Sequence, residues 1–437
     1  MYRRAVKFLC SMEVYEIGRR KESPDAFTRN RDLPLPILLV SMINMISRTT
    51  SVELYKFFTG ILKKKPVSKQ AFSKARRNLN AAVFSKLLEL FLDDYYESDY
   101  KTYKGYIILS SDGTGLEIPN TTEFVRDFGC PSNQNGKSSR PVATSSVLYD
   151  INNGIIINGV LKPYAYSEKE MVLEHIESIK KISRLAKKKI IILFDRGYPS
   201  MRLMAKLKEN NIDFIIRSKV GYIKETESAK KYDSYDKEKV INISRYMTQG
   251  SSWFKTYAKQ HEHKMSIRIT TGRFSNKEIG IFITSLGRDI FSREEIVELY
   301  RRRWGIETHF RHQKETGEFE NFACKTTERL KQEYHCKLYT LNLATLLTES
   351  AQEEVDEKVK SGEIQTKHEL KINQNVAFGI VKDNLPRYLL GIQDYDFISE
   401  LISEIAKHRI PVIKGRVFER NFHLRKRRHN IPYRRAC

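Results

Sequence analysis

The sequence predicts an α/β fold on one mixed sheet, interrupted by a β-rich insertion and flanked by a helical N-terminal region and a helical, basic C-terminal region. Two runs predict the sheet: Tyr106–Leu109 leading through two serines to Asp112-Gly113, and Ile190–Phe194 leading to Asp195-Arg196-Gly197. Each has the length and apolar content of a strand buried on both faces, and each is expected to end in its acid. The third observation is the stretch YRRRWGIETHFRHQK. Its Tyr300, Arg303, Glu307 and Lys314 are separated by three, four and seven positions. On one continuous helix those spacings fall on a single face, with one carboxylate between cations.

Composition bounds the partners. The chain has 437 residues, 40% hydrophobic, enough for two or three domains with buried cores. No run approaches the ~20 apolar residues of a membrane span. The apolar part of MYRRAVKFLC is too short for a signal peptide, so a cytoplasmic location is expected. The five cysteines are scattered, with no CxxC pair, which suits reduced thiols and offers no zinc spacing. The formal net charge is +24 and the isoelectric point is about 9.6. So basic a chain calls for a polyanionic partner, and nucleic acid suits it better than a membrane surface.

Taken in order, residues 1–100 read as helices. Leu33–Ser47 is apolar at most positions, with Pro34 and Pro36 tolerated at its start. A helix from about Ser51 to Phe58 and a second one capped by Ser68, carrying Lys69, Lys74, Arg76 and Arg77, suggest a helix-turn-helix-like DNA contact. Ala81–Tyr96 is amphipathic. After the first strand comes a polar loop, Asn133–Ser139, then strands at Val142–Tyr149 and Ile155–Leu161 joined through Asn153-Gly154, a hairpin signal. A helix over Glu168–Ala186, the strand ending at Asp195, a helix from Pro199 and a strand at Phe214–Arg217 complete the order of an RNase H-like sheet. Four short strands are expected in the insertion: Val240–Ser244, Trp253–Ala258, Met265–Thr270 and Ile279–Ser285. One helix is then expected over Arg293–Glu315, followed by further helices and a tail from His408 with ten cations against one acid.

In that topology Asp112 and Asp195 stand on neighbouring strands, and a helix laid across the sheet can bring Glu307 to them. Three converging carboxylates repel one another, and Mg²⁺, a hard ion that takes oxygen ligands, relieves the repulsion. Asp112-Gly113-Thr114, Asp195-Arg196-Gly197-Tyr198 and the Tyr300/Arg303/Glu307/Lys314 set together resemble the DDE transposases of bacterial insertion sequences, in the insertion sequence four group with its Tyr-Arg-Glu-Lys signature. Asp112 and Asp195 lie 83 positions apart. The resemblance covers essentially the whole chain. It implies a cut-and-paste transposase that binds terminal inverted repeats of double-stranded DNA and acts as a homodimer on it. Asp112, Asp195 and Glu307 would hold two Mg²⁺ ions, with Mn²⁺ able to substitute. Tyr300, Arg303, Lys314 and Arg196 would contact DNA, and Trp253 would stack on a base flipped from a hairpin intermediate. The implied domains are 1–100 (helical, DNA-binding), 101–218 and 291–350 (the two parts of the catalytic domain), 219–290 (the insertion) and 351–437 (helical with a basic tail). Two rival readings are a non-catalytic DNA-binding regulator and an RNase H-like nuclease acting on RNA–DNA hybrids.

Overall fold

The computed structural model describes residues 2–29, 31–45, 48–131, 140–274, 278–393 and 396–413. The predicted Asn133–Ser139 loop and the basic tail beyond Ile413 lie outside them. The helices are α1 (Tyr2–Leu9), α2 (Glu13–Gly18), α3 (Leu35–Asn44), α4 (Thr50–Tyr55), α5 (Lys69–Arg77), α6 (Ala82–Tyr95), α7 (Thr122–Phe128), α8 (Glu168–Lys181), α9 (Met201–Glu209), α10 (Lys224–Ala229), α11 (Ser252–Gln260), α12 (Arg293–Arg301), α13 (Trp304–Glu315), α14 (Thr327–Lys360), α15 (Gln374–Leu389) and α16 (Asp396–Lys407). The strands are β1 (Tyr106–Glu117), β2 (Val142–Asp150), β3 (Ile155–Pro163), β4 (Lys189–Phe194), β5 (Asp213–Ser218), β6 (Asp236–Asn242), β7 (Lys264–Arg273), β8 (Ile279–Thr284), β9 (Glu369–Ile372) and β10 (Arg409–Val412).

Contacts divide the chain into two compact units, one of residues 95–114 and 144–310 and the other of 1–94, 115–143 and 311–437. The large sheet has the order β3-β2-β1-β4-β5-β8-β7-β6. β4 runs parallel to β1 and β5 parallel to β4, with α8 and α9 in the connections. The first five strands therefore have the RNase H-like order. From β5 outward the neighbours are antiparallel. The strands of the expected insertion thus extend the main sheet and do not form a small sheet of their own. Ile108, Ile191, Leu193, Ile215 and Phe282 pack against Ile296, Leu299 and Tyr300 of α12 in one core cluster of this unit.

The other unit is mainly helical, with β9 and β10 paired in a two-stranded antiparallel sheet. α14 buries a long face, including Leu330, Tyr334, Leu338, Leu341 and Val355, and α3 is buried along most of its length. α15 contains Pro386, which cannot donate to the carbonyl four residues earlier. Asn44 Nδ2 of α3 donates to that carbonyl, Lys382 O, at 2.8 Å, so the orphaned acceptor becomes an inter-helix tie.

Four expectations need correction. β1 does not end at Asp112 but runs on to Glu117. Trp253–Ala258 is not a strand. It lies in α11, where Ser251 Oγ accepts from Phe254 N at 3.2 Å and Phe254, Tyr257 and Ala258 turn inward at helical spacing. The single helix across Tyr300–Lys314 is two helices broken at Arg302–Arg303. The helix expected from Ser51 starts one residue earlier, at Thr50, and passes into a wider turn over Lys56–Ile61, where Leu62 N bonds Phe57 O at 3.2 Å.

Candidate active site

β1 and β4 set the geometry. Their parallel register pairs Tyr106 with Lys189 and Ser110 with Leu193, a constant offset of 83 positions. Asp112 and Asp195 differ by the same offset, and each lies two residues beyond the Ser110–Leu193 pair. The two acids therefore stand at matching positions just past the paired part of β1 and β4, Asp195 at the C-terminal end of β4, where open α/β sheets place their sites, and Asp112 within β1. Asp195 leaves the sheet and closes a turn, its Oδ1 accepting from Gly197 N at 2.7 Å. Asp112 stays in its strand, and its Oδ1 accepts from Gly113 N at 2.9 Å.

Glu307 sits in the first turn of α13, where the positive end of the helix favours an anion. Arg303, in the break between α12 and α13, joins it to Asp112. Its Nη1 donates to Asp112 Oδ2 at 3.1 Å and its Nη2 to Glu307 Oε1 at 2.6 Å. The Arg303 side chain is only 11% exposed, so these are strong charge-assisted bonds in a partly dry setting. Its guanidinium lies 5.9 Å from the ring of Tyr300, which is itself buried against Phe282 and Phe274. Among the described residues, Arg303 Nε is buried with no hydrogen-bond partner.

Burial pushes the Asp112 carboxyl up to about 6, and the charges of Asp195 and Glu168 add to the rise, while Gly113 N–H and Arg303 oppose it. Burial also raises the phenols of Tyr198 and Tyr300.

Glu168 and Tyr198 make a contact the sequence reading missed. Tyr198 OH donates to Glu168 Oε2 at 2.8 Å, and a β-carbon on Gly113 would lie 2.4 Å from Glu168 Oε1. The available signal was a glycine that proves to be inside a strand, which commonly marks a close approach by another group.

The remaining predicted residues are placed as follows. Arg196 is exposed beside Asp195. Lys314 Nζ donates to Gly115 O at 2.7 Å and pairs with Glu320 at 3.4 Å. Trp253 Nε1 donates to Glu209 Oε1 at 2.9 Å, and Lys206 Nζ lies 4.4 Å from its ring centroid.

Oxygen donors at Asp112, Asp195 and Glu307, with a raised Asp112 carboxyl, suit a hard divalent cation. Among the described residues, however, no three His, Cys, Asp or Glu side chains are grouped closely enough to hold a metal ion. Between Asp112 and Glu307 the bridging charge is the guanidinium of Arg303.

The profile of the Transposase DDE domain family matches residues 103–343, more than half of the chain and all of the site residues above. The chain belongs to that family, and the two aspartates with Glu307 stand within its matched span. Two solved structures are similar. One is the piggyBac transposase synaptic complex with hairpin DNA, at 12% identity and a TM-score of 0.44, covering 96% of this chain and 88% of that one. The other is the Mos1 mariner paired end complex with Mn, at 16% identity and a TM-score of 0.19, covering 48% of this chain and 65% of that one. No curated protein matches the sequence. Among the described residues, no helix is long and apolar enough to cross a membrane.

Proposed function

We propose that this transposase belongs to the insertion sequence four group, binds the terminal inverted repeats of its element as a dimer, and cuts and rejoins DNA strands there. The observation that carries the reading is the register-matched pair Asp112 and Asp195, with Arg303 tying Asp112 to Glu307. Asp112, Asp195 and Glu307 would hold Mg²⁺, with Mn²⁺ able to substitute. When bound, such ions activate an attacking water or 3′-hydroxyl and stabilise the leaving oxygen of an in-line displacement at phosphorus.

The chain's own residues then have definite tasks. The turn after β4 holds the Asp195 carboxylate in place through the bond its Oδ1 accepts from Gly197 N. Arg303 bridges Asp112 and Glu307 in the free protein, and its fork would be available to a DNA phosphate if cations were held by the acids. Tyr300, being buried, supports Arg303 from beneath. Exposed Arg196 and the ammonium of Lys314 would contact the phosphate backbone. Trp253 is offered as the residue that stacks on a base of a hairpin end, where such stacking is worth ~1–3 kcal/mol. Trp253→Ala should then lower hairpin yield on a pre-nicked end, and an unchanged yield removes that role.

The Arg303 bridge is also the observation that would favour a DNA-binding protein without cleavage. The deciding experiment is metal-dependent nicking of a duplex carrying the element's end by the wild type and by Asp112→Asn. The wild type should nick in Mg²⁺ or Mn²⁺, and the variant should bind the same duplex without nicking it. A wild type that binds but never nicks would establish the regulator instead.

A further inference from the structure

We propose that Glu168 is a positioning residue of this site, acting through Tyr198 on the turn that carries Asp195. The proposal rests on the assignment of Asp112 and Asp195 as the paired acids and adds the residue that holds their geometry. The first turn of α8 grips the segment after β4 with three consecutive side chains. Glu168 Oε2 accepts from Tyr198 OH at 2.8 Å, Lys169 Nζ donates to Pro199 O at 3.0 Å, and both oxygens of Glu170 accept from Arg202 at 2.7 and 3.2 Å.

Of the three, only Glu168 also reaches the other acid's strand. Its Oε1 occupies the space a β-carbon on Gly113 would need, 2.4 Å from that position. One carboxylate therefore lies over the backbone next to Asp112 and fixes the far end of the Asp195 turn. Tyr198 is suited to carry the constraint. It is 1% exposed, its ring lies 5.2 Å from Phe194, and its amide bonds Asp195 O at 3.3 Å. A phenol locked at one end and an amide bonded to the aspartate at the other leave the turn little freedom. Side chains that orient first ligands in this way commonly govern metal affinity.

The test uses the full chain with Tyr198→Phe, Glu168→Ala, Glu168→Gln and the Glu168→Ala/Tyr198→Phe double variant. Two quantities are read: backbone hydrogen exchange over residues 195–199, and the Mn²⁺ dependence of single-turnover cleavage of a duplex carrying the element's end. Tyr198→Phe and Glu168→Ala should each raise exchange about fivefold, the loss of one hydrogen bond. They should raise the half-saturating Mn²⁺ concentration about tenfold, while the rate at saturating metal recovers. The double variant should be no worse than Glu168→Ala. Glu168→Gln still accepts from the phenol and should stay close to wild type. Wild-type behaviour of Tyr198→Phe, or a Glu168→Gln variant as impaired as Glu168→Ala, overturns the proposal, the latter because charge would then be the active property. The exchange measurement needs neither metal nor DNA, so it decides the positioning role even if the wild type does not cleave. Loss of cleavage in Asp112→Asn beside an unaffected Tyr198→Phe would leave the transposase reading standing and remove this one.

Discussion

Arg303 holds two carboxylates that would otherwise repel each other, yet burial still keeps the Asp112 carboxyl raised. In an unfolded chain this carboxyl ionises near 3.8, whereas in the folded protein burial and its acidic neighbours delay ionisation to about 6. The folded state therefore binds a proton that the unfolded chain has released. The stabilising contribution of the protonated carboxyl is fully present below the unfolded value and is lost as pH rises through about 6. Asp112→Asn removes the buried charge and should raise thermal stability at pH 7 by up to ~3 kcal/mol, the free-energy equivalent of the shift. The advantage should fall to well under ~1 kcal/mol by pH 4. Melting curves of both proteins between pH 4 and 8 check this, and a difference that does not change with pH would show that the charge of Asp112 is not the cause. Asp112, Asp195 and Glu307 were legible as candidates because each stands at a recognisable place in the pattern. The Arg303 bridge was not, since spacing says which residues share a face but not which partner a guanidinium will choose.

Elements were legible where periodicity was strong and failed where packing overrode it. The apolar runs of β4 and β5 and the Asn-Gly hairpin between β2 and β3 follow directly from composition and turn chemistry. α11 was misread because Trp253, Phe254, Thr256 and Tyr257 favour strands locally, while the Ser251 cap and the inward spacing of Phe254, Tyr257 and Ala258 favour a helix. α5 shows the same limit on a finer scale. Its Ser68 cap is present, with Ala71 N donating at 3.1 Å. Yet Arg76, expected on the basic face, points inward, bonding Gln332 Oε1 at 3.1 Å, Glu333 Oε1 at 2.8 Å and Arg329 O at 3.1 Å. Arg76→Ala removes the buried ion pair to Glu333, whose Oε2 keeps its bond from Ala323 N at 3.0 Å, and should cost ~3–5 kcal/mol, measurable by denaturant unfolding. A loss below 1 kcal/mol would mean water reaches Glu333 freely. β1 gives a second prediction. The nearest atoms a Gly113→Ala methyl meets are the carboxylate end of Glu168, a flexible side chain, so stability should change by no more than about 1 kcal/mol. The displaced carboxylate should nonetheless raise the Mn²⁺ requirement for cleavage as Glu168→Ala does. A large stability loss would instead place the clash on the backbone.

At the scale of the whole molecule, the insertion strands were the least legible feature, because the pairing of β8 with β5 joins segments more than sixty residues apart and no local pattern encodes it. Charge, by contrast, is a property the sequence states outright, and the structure says where part of it goes. No acid lies between Glu53 and Glu89, while that span holds Lys63, Lys64, Lys65, Lys69, Lys74 and Arg77, all exposed. With Arg76 turned inward, α5 presents Lys69, Lys74 and Arg77 outward, close to a cluster of three further lysines. A segment so free of acids is suited to a phosphate backbone, and each phosphate neutralised adds ~0.9 to the slope of log affinity against log salt concentration. Replacing Lys69, Lys74 and Arg77 together with glutamine should reduce that slope by ~2–3 while leaving the melting temperature unchanged. Lys407, already paired with Glu404 at 2.6 Å, supplies the control, and Lys407→Gln should leave the slope as it was. Salt titrations of duplex binding read both variants. Equal slopes for the wild type and the triple variant would move the DNA-binding surface off α5, and the chain's excess charge would have to act elsewhere.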